Sequence, residues 1–259
     1  MRESWELYDE LIEEIPNELM VDYFAIGLGW TQVWSGDQTG VAMTVKQSGP
    51  RLLSHGNYKG LPLKDVAALV KSWDFIEASV GAAALNCYYN TFHKVKAQGG
   101  FKGITLEDLT HKERVKKEAF IAFRKEITGK KVAIIGHFPH IEKELGPICD
   151  LSILERNPQK GDYPDTACEY ILPEQDYLFI TGMTLTNKTL PRLLALAKDN
   201  AKISIVGPSI CLSPKLFQWG ANNLSGFCVL ERDLLNEVVL RGEKGTIFRS
   251  GVMVSIGGE

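Results

Sequence analysis

DYLFITGMTLTNKTL, residues 176–190, is the stretch whose reading decides the fold. Tyr177–Ile180 is a short run, apolar enough for a strand buried on both faces. A Thr/Asn-rich loop follows. Leu190, Leu193, Leu194 and Ala197 then recur at helical spacing. Strand, loop and helix in that order form the unit from which parallel sheets are built. The loop also carries Gly182-x-x-x-x-Asn187-Lys188-Thr189, which misses the phosphate-cradling P-loop by one residue, Asn187 for Gly.

Around this stretch the same pattern repeats. Val132–Ile135, Leu151–Leu154, Ile203–Val206 and Phe227–Leu230 are further short apolar runs. The gaps between the first four strands are long enough for crossovers, so the spacing predicts an α/β domain with a doubly wound parallel sheet. Leu234, Leu235, Val238 and Val239 mark a second crossover helix, and Val252–Ile256 adds an edge strand. The N-terminal part reads as α+β. Tyr8, Leu11, Ile12 and Ile15 share a helical face that Pro16 ends. Val21–Trp34 and Val41–Lys46 read as strands joined through the turn cluster SGDQTG, and Leu63–Lys71 and Phe75–Tyr89 as helices. Gly81-Ala82-Ala83-Ala84 permits close backbone packing. The boundary falls between Thr91 and Thr110, giving domains 1–105 and 106–259. A capping box at Thr110–Glu113 opens a helix with Val115, Ala119, Phe120, Phe123 and Ile127 on one face.

The chain of 259 residues is 44% apolar and 24% charged, with net charge −3. That balance gives no general attraction to nucleic acid or to an anionic membrane. The acidic start reads as an amphipathic helix rather than a signal peptide, and no apolar run has the length of a membrane span. Five cysteines without a C-x-x-C pair read as reduced thiols in a cytoplasmic protein. The expected partner is a small molecule, and a homo-oligomer is left open.

Polar and special residues collect at the strand ends, where ligands bind in an open parallel sheet. The first strand runs into Gly136-His137-Phe138-Pro139-His140 and the second into Glu155-Arg156-Asn157. The next runs into Thr181-Gly182 with Thr184, Asn187 and Thr189, and the one after into Gly207-Pro208-Ser209. Glu155 lies about 20 residues after Gly136, where a ribose-binding acid belongs. The first turn lacks the further glycines of a dinucleotide site, and Pro139 has no N–H for a pyrophosphate. An adenosyl ligand, and with it a methyltransferase using S-adenosylmethionine, stays open beside the alternative that Glu155 pairs locally. NTP hydrolysis is disfavoured: the P-loop lacks its last Gly, and no apolar run ends in an Asp that could hold magnesium with Thr189. There Asn187 or Thr189 serves as a helix cap. His137 and His140 form H-x-x-H, but Pro139 between them opposes a metal pair on one helical face, and no metal ligands are assigned. His137, directly after the strand-end Gly, is the acid–base candidate. Ser209 and Cys211 sit in an incomplete nucleophile elbow. Asn86, after the small-residue run, either satisfies neighbouring backbone or faces a cleft.

Taken together, VAIIGHF (132–138), Leu154-Glu155-Arg156, ITGMTLTNKT (180–189), Gly207-Pro208-Ser209 and the Gly81–Asn86 stretch resemble the heavy-metal chelation family. The resemblance covers nearly the whole chain and rests on the joint order of the pieces. It implies an enolase-N-terminal-like α+β domain followed by a Rossmann-like domain, with a cleft between them. It further implies making, modifying or binding a small metal-chelating molecule (pterin-, flavin- or siderophore-like); condensation or hydrolysis is the reaction class to test first. In that family the T-x-N-x-T loop is not a P-loop. Lys188 stands where the family more often has a small residue, so no role is carried over to it. A metal ion would be carried by the ligand rather than held as a resident cofactor. In this reading His137, Glu155 and Asn86 are catalytic. Gly136, Phe138, Pro139, Arg156, Thr181, Gly182, Thr184, Asn187, Thr189, Gly207, Pro208 and Ser209 bind the ligand. A non-catalytic chelate-binding protein is the alternative.

Overall fold

The computed structural model describes residues 3, 5–53, 56–101, 123–243 and 245–258. The capping box at Thr110–Glu113 and most of the helix expected after it lie outside these residues; Arg124–Ile127, at that helix's end, is helical.

The N-terminal part opens with helix α1 (Glu6–Glu13), which buries Leu7, Tyr8, Leu11 and Ile12. The strand expected over 21–34 is two strands, β1 (Tyr23–Ile26) and β2 (Trp30–Ser35), because Gly27-Leu28-Gly29 turns the chain back. A hairpin at Gly36-Asp37 leads to β3 (Gln38–Met43), with Ser35 paired to Gln38. These strands form an antiparallel sheet in the order β1-β2-β3. Helix α2 (Leu63–Ala68) precedes the long α3 (Phe75–Tyr89). Asp74 caps α3 by accepting the Glu77 N–H at 3.0 Å. Because α3 is buried nearly all round, it reads as a central helix rather than an amphipathic surface one.

After the short α4 (Phe92–Ala97) and α5 (Arg124–Ile127) comes a seven-stranded sheet in the order β10-β9-β8-β7-β4-β5-β6. Its members are β4 (Lys131–Ile135), β5 (Asp150–Glu155), β6 (Tyr163–Pro164), β7 (Tyr177–Thr181), β8 (Lys202–Val206), β9 (Asn223–Val229) and β10 (Gly251–Gly257). All neighbours pair in parallel except β9 and β10, so Val252–Ile256 is indeed in an edge strand. The two-residue β6 carries no apolar run and was not legible. Helices α6 (Ile141–Leu145), α7 (Cys168–Ile171), α8 (Met183–Thr186), α9 (Leu190–Leu196) and α10 (Lys215–Gln218) lie in the connections. Helix α11 (Arg232–Arg241) carries Leu234, Leu235, Val238 and Val239, but it is not a crossover: β9 and β10, which it joins, are antiparallel. Its Leu235, Val238 and Val239 pack with Trp30 and Val41 of the small sheet and Phe227 of β9.

One continuous core joins both sheets, running from Leu7, Tyr8 and Ala83 to Ala133, Leu178 and Ile205. Side chains fasten the two parts. Asn90 donates to the carbonyls of Ile210 at 2.9 Å and Phe227 at 3.2 Å, and accepts the Leu212 N–H at 2.7 Å. Tyr8 donates to the Leu185 carbonyl at 2.9 Å. The Met43 N–H donates to Ser209 Oγ at 2.9 Å. No helix among the described residues is long and apolar enough to cross a membrane.

Candidate functional site

Strand order reverses at β4, which has β5 on one side and β7 on the other. Beyond the carboxyl ends of such neighbours the chain diverges and leaves a crevice. Those ends are Gly136-His137 after β4 and Thr181-Gly182 in β7 and after it. A cavity of about 710 Å³ opens there. Its wall includes fourteen of the fifteen residues expected in the site: Gly136, His137, Phe138, Pro139, Glu155, Arg156, Thr181, Gly182, Thr184, Asn187, Thr189, Gly207, Pro208 and Ser209. Asn86 is the one left outside.

Each strand end leaves the sheet by a bond to its neighbour. The Gly136 N–H donates to the Leu154 carbonyl at 2.8 Å and the Gly182 N–H to the Val206 carbonyl at 2.8 Å. Gly182 is required by close approach: a Cβ there would sit 2.6 Å from the Ile210 backbone nitrogen. The Gly207–Ser209 turn is thereby pressed against the end of β7.

The segment after β7 is not an open loop. Met183–Thr186 forms one helical turn, closed by Thr184 Oγ1 donating to the Thr181 carbonyl at 2.6 Å. Asn187 Oδ1 accepts the Thr189 N–H at 3.1 Å and the Thr189 hydroxyl at 2.6 Å, which sets the entry to α9. Lys188, with φ of +68°, lies outside the cavity wall. Its Nζ donates to the carbonyls of Ser72 and Thr186 and sits 4.6 Å from the centre of the Phe75 ring. Burial lowers its pKa to about 8. A P-loop lysine must reach phosphate, and this one is engaged elsewhere.

At the end of β5, Glu155 bridges two turns. One oxygen accepts the His137 N–H at 2.9 Å and the other the Asn157 N–H at 3.0 Å. Two of its acceptor positions are therefore spent on backbone rather than on a ribose. Arg156 pairs with Asp165 at 3.1 Å, so its charge is matched inside the wall. The His137 ring faces Asp162, with Nδ1 3.0 Å from Oδ2. Asp162 also accepts the Gln159 N–H at 2.9 Å. His140 is exposed and outside the wall, so the H-x-x-H pair does not converge on the cavity.

Asn86 is 1% exposed, and its amide donates to the carbonyls of Val41 at 2.7 Å and Pro208 at 3.1 Å. It ties the small sheet to the Gly207–Ser209 turn and does not reach the cavity. Ser209 lines the wall, but its hydroxyl is held by the Met43 N–H and serves the same junction. Burial pushes the thiol of Cys168, in the wall, up to about 11, and that of Cys211 to about 12. Neither is a ready thiolate.

The small sheet supplies a wall that sequence reasoning missed: Leu28, Trp30 and Met43 through Gln47, joined by Phe248. A strand read as ending at Lys46 was the available signal, but which way it faced depended on docking of the two parts. Asp162 was missed too, because a single Asp in a polar turn has no distinguishing pattern. Among the described residues no three His, Cys, Asp or Glu side chains gather as metal ligands.

Comparison with known proteins places the chain. Two profiles, each described as "Putative heavy-metal chelation", match residues 8–89 and 118–256. An uncharacterized protein of Methanocaldococcus jannaschii is 31% identical over 204 residues, 75% of this chain and 71% of that one. A crystal structure from Desulfitobacterium hafniense, of a protein of unknown function, shares 40% identity with a TM-score of 0.89, covering 98% of this chain and 99% of that one. A second, from Pyrococcus horikoshii, shares the fold at 23% identity with a TM-score of 0.76, covering 98% and 99%. The chain belongs to the heavy-metal chelation family.

Proposed function

We propose that the crevice between the two sheets binds a small polar, metal-chelating molecule and acts on it. The cavity carries the reading. Its volume of about 710 Å³ falls within the roughly 300–1,000 Å³ usual for metabolite sites. Trp30, Met43, Phe138 and Phe248 offer apolar and aromatic surface to a ring, while Thr44, Thr181, Thr184 and Asn187 are polar groups that can orient it. Lys46 and Arg156 are matched in number by Glu155 and Asp165 in the wall, which carries no cationic excess for a polyphosphate. In this reading the chelating atoms belong to the ligand.

The S-adenosylmethionine alternative loses support from Glu155, whose oxygens already accept two backbone N–H groups. The site is tested by thermal unfolding with neopterin, riboflavin and 2,3-dihydroxybenzoate, each with and without Ni²⁺ or Fe³⁺. At 100 times Kd a bound probe adds about 2.7 kcal/mol, which is visible as a rise in Tm. A Tm unmoved by every probe, with and without metal, contradicts the reading.

A further inference from the structure

We propose that His137 and Asp162 form an acid–base pair, with His137 Nε2 as the reacting atom in the crevice and Asp162 as the residue that positions it. The inference rests on the crevice being a ligand site, but it is tested separately.

The geometry fixes the proton on the ring. A carboxylate has only acceptors to offer. Asp162 Oδ2 stands 3.0 Å from His137 Nδ1 and also takes the Gln159 N–H at 2.9 Å. Were Nδ1 bare, two lone pairs would face one another at that distance. Nδ1 therefore holds the proton, and in the neutral ring Nε2 keeps its lone pair. The Asp162 side chain is 4% exposed and the His137 ring 24%, so the pair is sheltered at one end and open at the other. The more exposed member, His137, lines the cavity wall, and Asp162 does not.

The backbone beneath the ring is fixed as well. The His137 N–H is donated to Glu155 Oε2 at 2.9 Å, which ties the root of the side chain to the end of β5. Two candidates for acid–base work thus separate. Glu155 holds two turns, whereas His137 Nε2 takes no hydrogen bond among the described residues. A base held in this way needs a third group to orient it, and here that group is Asp162.

In a hydrolysis, Nε2 takes a proton from water as the water oxygen bonds to the acyl carbon. The bond from that carbon to nitrogen or oxygen then breaks, and the proton passes from Nε2 to the departing atom. Nε2 is bare again at the end, and no oxidant or reductant is needed. Asp162 stays ionised and stabilises the imidazolium between the two transfers.

Two measurements on the full chain decide it. Nitrogen-15 NMR of the neutral ring, with the His137 signals identified by their loss in His137→Asn, reports which nitrogen carries the proton. The expected pattern is protonated Nδ1 and bare Nε2 in the ligand-free protein, moving toward protonated Nε2 in Asp162→Ala. Hydrolysis of p-nitrophenyl acetate then reads the chemistry. The rate should exceed buffer and fall at least about tenfold in His137→Asn and in Asp162→Ala, since positioned acid–base groups contribute about 10² or more. His93→Asn, outside the crevice wall, should leave it unchanged. Protonated Nε2 in the unsubstituted protein overturns the proposal, and this reading stands even if the Asp162 variant does not fold. A rate no greater than buffer, or one that His137→Asn leaves intact, overturns it equally. Failure of every chelator probe to bind would remove the crevice's ligand instead, without touching the state of the ring.

Discussion

At the scale of single residues, the junction between the two parts rests on amides. Asn90 is 2% exposed and uses both ends of its amide, on Leu212, Ile210 and Phe227. Removing it leaves buried backbone groups without partners, and each such group costs on the order of 1–3 kcal/mol. Asn90→Ala should therefore lower stability by about 3 kcal/mol, read from urea unfolding; a loss below about 1 kcal/mol would contradict this role. Asn86 shares the work through the carbonyls of Val41 and Pro208. The sequence marks both residues only as polar groups in or beside an apolar helix. Such a group can satisfy backbone or face a ligand, and nothing local distinguishes the two. His137 differs because its place directly after a strand-end Gly is itself positional information. Its partner Asp162 is brought by a loop whose path no pattern specifies.

At the scale of elements, helix and strand existence was legible where periodicity was strong. α3 was read over its full span, and the apolar runs at β4, β5, β7 and β8 are strands. What each element packs against was less legible. The apolar stripe of α11 marks a helix but not its target, and the helix serves the small sheet rather than crossing between parallel strands. The helical turn Met183–Thr186 was hidden because its Thr-rich sequence reads as loop. Packing of α3 on β3 is set by absent side chains. A Cβ at Gly40 would lie 2.0 Å from the Cys87 backbone nitrogen and 2.1 Å from the Ala83 oxygen. Those atoms are backbone and cannot swing aside. Gly40→Ala should cost about 3 kcal/mol or more and leave much of the protein insoluble on expression at 37 °C. A soluble variant with an unchanged urea midpoint would show that α3 and β3 are less tightly apposed.

At the scale of the whole molecule, buried ionisable groups set the alkaline limit of stability. Burial raises the thiols of Cys87, Cys211 and Cys228 to about 12 and that of Cys168 to about 11, from 9.0. Above pH 9.0 the unfolded chain sheds protons that the folded chain keeps, so stability present below that pH is lost as pH rises. Lys94 and Lys188 oppose this: burial lowers both from 10.5 to about 8, so stability rises with pH between those values. Four thiols outweigh two amines. The urea midpoint should fall between pH 9 and pH 10.5, the window these shifts define; a level or rising midpoint contradicts the burial of the thiols.

The crevice belongs to this scale too. Its strand-end wall was legible because parallel topology brings the carboxyl ends of neighbouring strands to one edge, whatever the loops contain. Its other wall, from Leu28 to Gln47, depends on how the small sheet packs against the large one, which local sequence does not encode. Membership of the heavy-metal chelation family accompanies the fold; that a ligand binds in the crevice is the proposal. Native mass spectrometry of the freshly purified chain tests that claim most directly. The account expects one small molecule per chain, released on acid unfolding or taken up from the chelator probes. A chain found at its bare sequence mass, and still bare after incubation with every probe and metal, would contradict it.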